Sequence, residues 1–304
     1  MRDPVEFRHF NHMNQVVPDY REAVEHYEEK FAAQFLYPVA SNPYAQACLM
    51  NFGGAVIEYV APRLTPFRAP EDKTGFEGTF WYSSGPAAFV VDYPNLGGHF
   101  AGLEYNVTDR DVTFDGMEAK GLRLLDQREW GYFLTYPDQC HGISLEIFDL
   151  DWYSDQAMDF YVEPMKPVSY WSEEHPLGIT GFRYSVAVRD IDAAVGFFTD
   201  LCGAETKYVE DRPGAHAVGL RMDSAGMVVD FLTPSGEGSL KAFLDRYDDR
   251  IRAMIFEVHE ISAVKRYFKA KDIALLPGDL PGGVVVDPRQ NFGSIYEFVE
   301  SRDR

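Results

Sequence analysis

Two side chains near the start of the chain are of types that bind metal, at a spacing that could bring them together. His12 lies in Phe10-Asn-His-Met-Asn-Gln-Val-Val-Pro-Asp19, and Glu58 lies 46 residues further on, in Gly54-Ala-Val-Ile-Glu-Tyr-Val60. Both segments are short apolar runs bounded by turn residues, so both read as strands. An imidazole and a carboxylate on two strands of one sheet make half of a divalent-metal site. The same pair also fits a plainer arrangement, a histidine hydrogen-bonded in a core beside a glutamate.

The elements that must hold these residues form a phrase. Asp19 reads as the N-cap of an amphipathic helix running from Tyr20 to Phe35, with Ala23, Tyr27 and Phe31 on one face at i, i+4 and i+8. Strands are predicted at 34–39, 45–52 and 55–61, with Gly53-Gly54 as a tight turn. The phrase then recurs three times, with helix caps at Asp109, Asp190 and Glu260 and helices over 110–120, 191–201 and 261–270. Seven residues before the four caps stand His12, Gly102, Arg183 and Ala253. From these to the acid on the last strand of each copy (Glu58, Glu146, Asp230 and Glu297) the gaps are 46, 44, 47 and 44. Four near-equal gaps, each ending in an acid on an apolar strand, mark a genuine internal repeat.

Two stretches interrupt it. Residues 62–97 are rich in Pro, Gly and aromatics, including Phe76, Phe80, Trp81 and Tyr82, and read as a cover for a sheet or a substrate lid. Residues 151–176 form a second aromatic and proline-rich bridge. The expected division is therefore 1–150, a bridge at 151–176, and 177–304.

Composition excludes several classes. A formal net charge of -20 repels phosphate backbones and anionic lipid, which argues against nucleic-acid and membrane-surface roles. Cys48, Cys140 and Cys202 are odd in number and widely spaced, so a disulfide framework is not expected and a reducing cytoplasm is. The first residues hold no apolar run that could serve as a signal peptide, and no window is apolar enough for a membrane span.

These residues resemble the vicinal oxygen chelate superfamily, which includes glyoxalase I, methylmalonyl-CoA epimerase, bleomycin resistance proteins and extradiol dioxygenases. The likeness rests on His12 through Tyr27, on Tyr132-Phe-Leu-Thr-Tyr-Pro-Asp-Gln-Cys-His-Gly-Ile-Ser-Leu-Glu-Ile-Phe148, and on Tyr184-Ser-Val-Ala-Val-Arg-Asp-Ile-Asp-Ala-Ala-Val-Gly-Phe-Phe198. It covers most of the chain apart from the two bridges. It implies an α+β fold of four βαβββ modules, paired into two curved mixed-sheet domains.

It also implies metal ligands on the first and last strands of both modules of a pair: His12, Glu58, position 102 and Glu146. Position 102 is Gly, which departs from the pattern; His99 would substitute if the strand bulges or shifts, and Glu104 is a further candidate. The second pair offers Arg183, Asp230, Ala253 and Glu297, which read as a salt bridge in a site without metal. A nitrogen with two carboxylates suits Fe, Mn, Zn, Co or Ni. Glu58 or Glu146 would then act as a base at a carbon beside a metal-polarised oxygen.

Three function classes follow. The favoured one is a divalent-metal enzyme of isomerase or lyase type acting on a small oxygenated substrate, aromatic ones included. The others are an extradiol-type ring-cleaving dioxygenase and a metal-free small-ligand binding protein. A homodimer is compatible with each. Of the other histidines, His26 is expected on the helix surface and His141 at the rim, and His175, His216 and His259 have no partner at a useful spacing.

Overall fold

A computed structural model of the chain describes residues 4–41, 45–62, 80–81, 90–91, 100–150, 162 and 164–301. His99, most of the aromatic insertion and residues 151–161 lie outside the described residues.

The first half carries β1 (Phe7–Val16), α1 (Tyr20–Phe31), β2 (Gln34–Ser41), β3 (Ala45–Phe52), β4 (Ala55–Pro62), the two-residue strands β5 (Phe80–Trp81) and β6 (Val90–Val91), β7 (Phe100–Val107), α2 (Arg110–Ala119), β8 (Leu124–Gln127), β9 (Tyr132–Thr135) and β10 (Ser144–Asp149). The second half carries β11 (Ile179–Ala187), α3 (Ile191–Cys202), β12 (Glu205–Arg212), β13 (Ala215–Arg221), β14 (Val228–Pro234), α4 (Ser239–Tyr247), β15 (Arg250–Val258), α5 (Ile261–Ala270), β16 (Leu275–Pro277), β17 (Val284–Val286) and β18 (Ile295–Glu300). The result is α+β, with two eight-stranded mixed sheets. Their orders are β2-β3-β4-β1-β7-β10-β9-β8 and β12-β13-β14-β11-β15-β18-β17-β16. The two orders correspond strand for strand, as a repeated phrase requires.

Three of the four expected caps form through their side chains; Glu260 stands at the start of α5 without a side-chain cap hydrogen bond. Asp19, Asp109 and Asp190 each accept a backbone N–H from the first turn of the following helix. α1 stops at Phe31, four residues short of the expected Phe35. Ala32 takes the left-handed conformation at φ 53°, and the chain turns straight into β2. Ala23, Tyr27 and Phe31 are the buried face of α1, and Tyr27 stacks on Tyr59 of β4 at 4.3 Å between ring centroids. Burying an aromatic of this size contributes about 1.5–3 kcal/mol.

One apolar core serves both sheets. It includes Phe31, Phe52 and Tyr59 from the first half and Phe256, Tyr296 and Phe298 from the second. Phe52 meets Phe256 edge-on at 4.7 Å. Buried polar groups also bridge the halves: Tyr296 donates to Gln15 Oε1 at 2.6 Å, Gln15 Nε2 donates to Tyr27 at 2.7 Å, and the Tyr59 and Tyr296 hydroxyls lie 3.0 Å apart. The Gly53 turn presses on β11, where a Cβ would lie 2.8 Å from Ile179 Cγ2.

Candidate metal centre

The middle of the first sheet is β4-β1-β7-β10. Each of these four strands contributes one chemistry-bearing side chain: Glu58, His12, Glu104 and Glu146. β1 and β7 run antiparallel with a defect between them. Phe10 pairs with Tyr105 and Met13 with Leu103, so Asn11 and His12 together oppose Glu104 alone. This is a β-bulge, and it re-aims His12 at Glu104.

His12 Nε2 lies against Glu104 Oε1 and 3.5 Å from Glu58 Oε2. One ligand atom from each of His12, Glu58 and Glu104 falls within 4.8 Å of the others. All three residues are buried. His12 Nε2 and all four oxygens of Glu58 and Glu104 lack a hydrogen-bond partner of acceptable geometry. The other ring nitrogen is held: Nδ1–H donates to Asn11 Oδ1 at 2.7 Å, which leaves the Nε2 lone pair facing the carboxylates.

Glu146 sits beside this trio. It pairs in register with Glu104 across β7 and β10, and its Oε2 accepts from Asn14 Nδ2 at 3.2 Å. Burial raises Glu58, Glu104 and Glu146 above the usual carboxylate range; the charge of Glu58 adds to the rise at Glu104, and that of Glu104 to the rise at Glu146. Three carboxyls this close in a dry interior do not all ionise without a counter-charge, which protons or a cation must supply. Orphaned donor atoms of one imidazole and two carboxylates, with an oriented ring behind them, fit a divalent first-row ion.

The structure thus brings His12 and Glu58 together and adds Glu104, with Glu146 adjoining. Gly102 cannot take a ligand's place, because a Cβ there would lie 2.7 Å from the Ser144 carbonyl oxygen. Glu104 is two residues further along the same strand and so on the same face.

Other histidines differ from expectation. His26 is not on the open surface: it packs edge-on against Tyr27 and Phe292, and burial lowers it to about 4. His175 is buried, with Nε2 3.2 Å from the Phe31 carbonyl oxygen, and His216 pairs with Asp211 at 2.8 Å. Both partners are far off or unremarkable in sequence. His141 Nδ1 is within hydrogen-bond reach of Asp249 Oδ2 of the other half, at 3.2 Å.

In the second sheet the corresponding cup is filled differently. Asp230 is fully buried and accepts from Arg183 Nε at 3.1 Å, from Arg212 Nη2 at 2.8 Å and from the Tyr208 hydroxyl. Arg183 also pairs with Glu257. Arg183, Arg212, Glu257 and Pro281 line a cavity of about 460 Å³. Glu297, the acid of the last strand, accepts the Leu280 backbone N–H at 2.7 Å.

Burial pushes Glu297 up to about 7, against the lowering effect of that hydrogen bond. Its neutral form is therefore the one the fold prefers. The unfolded chain releases this proton above about pH 4.5 while the folded chain keeps it to about 7, so stability falls as pH rises through that window. Glu297→Gln keeps the acceptor and removes the titration. It is expected to gain about 3 kcal/mol at pH 8 and nothing at pH 4, read from urea unfolding at both values. Equal effects at the two pH values would contradict the assignment.

No family model matches the sequence, and a search of curated proteins finds no match. Solved structures do match. A mutant of 4-hydroxymandelate synthase from Streptomyces coelicolor superposes with a TM-score of 0.64 at 14% identity, covering 99% of this chain and 95% of that one. Methylmalonyl-CoA epimerase from Mycobacterium tuberculosis aligns with 41% of this chain and 89% of its own, at 20% identity and a TM-score of 0.39. The Streptomyces coelicolor epimerase in complex with 2-nitronate-propionyl-CoA aligns with 39% and 94%, at 22% identity and 0.35.

The chain has the fold of that 4-hydroxymandelate synthase structure over nearly its whole length. The four modules of this fold are the four copies of the phrase, and its central strands β1, β4, β7 and β10 are those that carry His12, Glu58, Glu104 and Glu146. Among the described residues, no helix is long and apolar enough to cross a membrane.

Proposed function

We propose that the chain is a divalent-metal-dependent enzyme of the vicinal oxygen chelate type, acting on a small oxygenated organic substrate by isomerase or lyase chemistry. The observation that supports this is the set of orphaned ligand atoms on His12, Glu58 and Glu104 within 4.8 Å of one another. Bound there, an Fe, Mn, Zn, Co or Ni ion would polarise a substrate carbonyl or hydroxyl oxygen and offset the negative charge that develops on it.

The chain's own residues do the rest. Asn11 fixes the tautomer and angle of the His12 ring. Asn14 fixes one oxygen of Glu146 and leaves Oε1 without a partner. Glu146, kept readily protonated by its surroundings, suits the taking and returning of a proton at a carbon next to the polarised oxygen. One nitrogen with two carboxylates departs from the two-histidine, one-carboxylate set of ring-cleaving iron oxygenases, which disfavours that reading.

The test is elemental analysis followed by exchange chemistry. Purified protein is expected to hold one first-row ion per chain. Chelation should abolish deuterium uptake from D₂O at the carbon α to a substrate carbonyl, read by NMR, and one metal should restore it. Protein without stoichiometric metal sinks the reading; oxygen consumption with catechols would shift it to ring cleavage.

A further inference from the structure

We propose that Asn14 is a positioning residue that holds Glu146 outside the metal's ligand set, so that the ion is bound through His12, Glu58 and Glu104. This rests on the metal reading above and goes beyond it, by assigning the four acidic and imidazole side chains to different jobs.

Three observations carry it. First, on its β7 and β10 side the lateral row through Asn14 offers no ligand. Asn14 pairs with Glu58 on one side and Gly102 on the other, and Gly102 pairs with Ser144. The space a side chain at 102 would occupy belongs to the Ser144 carbonyl and the Asn14 amide, 2.7 and 3.5 Å from a built Cβ. Second, the β-bulge at Asn11 and His12 moves the imidazole into the next row, where Glu104 and Glu146 stand side by side. Of these two, it is Glu104 that lies against His12 Nε2 and joins it and Glu58 in the trio. Third, Glu146 is tethered by the Asn14 amide, a neutral donor almost wholly shielded from solvent. Glu146 Oε2 accepts that N–H, and Glu146 is not in the group whose ligand atoms close to within 4.8 Å, which holds His12, Glu58 and Glu104. The glycine, the bulge and the asparagine thus form one arrangement. The glycine makes room for the amide, the amide takes Glu146, and the bulge supplies Glu104 in its stead.

The experiment uses the full-length protein, stripped with chelator and titrated with Co²⁺, whose visible absorption reports coordination number. Wild type is expected to bind one ion. Glu104→Gln should weaken binding by at least about 100-fold, more than the loss of an outer partner would. Glu146→Gln should change it by less than about 10-fold and leave the spectrum in place. Asn14→Leu, close in volume but unable to donate, should free Glu146 to reach the ion, and the Co²⁺ bands should weaken and shift as a ligand is added. Asn14→Leu with Glu146→Gln should return the wild-type spectrum, a reversal that a merely structural role for Asn14 would not produce.

Equal losses of affinity in Glu104→Gln and Glu146→Gln overturn the proposal while leaving the metal reading intact. Unchanged bands in a folded Asn14→Leu protein also overturn it. If Asn14→Leu does not fold, the comparison of the two glutamine variants decides. Failure of the wild type to bind Co²⁺, Zn²⁺ or Mn²⁺ overturns both readings.

Discussion

His12→Ala is expected to lower the affinity for divalent ions by at least about 100-fold, measured by titrating chelator-stripped protein with Zn²⁺ in a competition assay. The magnitude follows from what the ring contributes. It is the one nitrogen among the three ligands, its Nε2 has no hydrogen-bond partner, and its orientation is fixed by Asn11. Losing the Asn11 contact alone typically costs 10- to 100-fold by the precedent of outer-shell partners, about 1.4–2.7 kcal/mol, and losing the ligand costs more. Asn11→Ala should therefore fall between wild type and His12→Ala. The thermal response separates this from a purely structural histidine. Saturating Zn²⁺ should raise the Tm of wild type and not of His12→Ala, because only a site that binds the native state shifts unfolding by mass action. A histidine that merely fills a core would give the reverse: no metal-induced shift in either protein, with His12→Ala the less stable.

The second large effect is expected in the other half. Asp230→Ala should destabilise the protein by about 3–5 kcal/mol, read from urea unfolding with unchanged m-value. Asp230 is fully buried and is the shared acceptor of Arg183, Arg212 and Tyr208. Its removal takes from two almost entirely covered guanidiniums the carboxylate they share, leaving Arg183 with Glu257 and Arg212 with Glu210, both of which are more exposed. The cost comes from leaving two covered guanidiniums without their fully buried counter-charge, so Asp230→Asn, which keeps an acceptor but not the charge, should also be costly. Restoring balance with Arg183→Met in the Asp230→Ala background should recover part of the loss. A cost under about 1 kcal/mol would mean that water reaches the cluster and screens it.

The repeat was legible in the sequence because it leaves a periodic trace. A cap, an apolar strand behind it and an acid some 45 positions on recur whatever the intervening residues do, and the four central strands of both sheets follow from that. The end of α1 was not legible. Nothing in Ala32 announces a left-handed turn, a conformation that alanine adopts only when tertiary packing pays for it. Glu104 was visible only as a lesser candidate. Counting seven back from Asp109 lands on Gly102, and the shift to 104 depends on a bulge in a different strand, at Asn11 and His12. A bulge is settled by pairing between strands some ninety residues apart, and one chain's local pattern does not encode it. Glu297 teaches the complementary lesson. Spacing put it correctly on its strand, yet spacing says nothing about the Leu280 N–H that it accepts.

The hydroxyl chain from Tyr59 through Tyr296 and Gln15 to Tyr27 has a consequence for how the two copies can diverge. Tyr296, the one phenol of the trailing half in this chain, stands apart from the side chains around Asp230 and Arg183. A change at Tyr296 or Phe256 is felt across the seam, because each touches side chains of the leading half directly. Two sheets of the same strand order thus share one buried polar thread, and each half is folded partly on side chains that the other supplies.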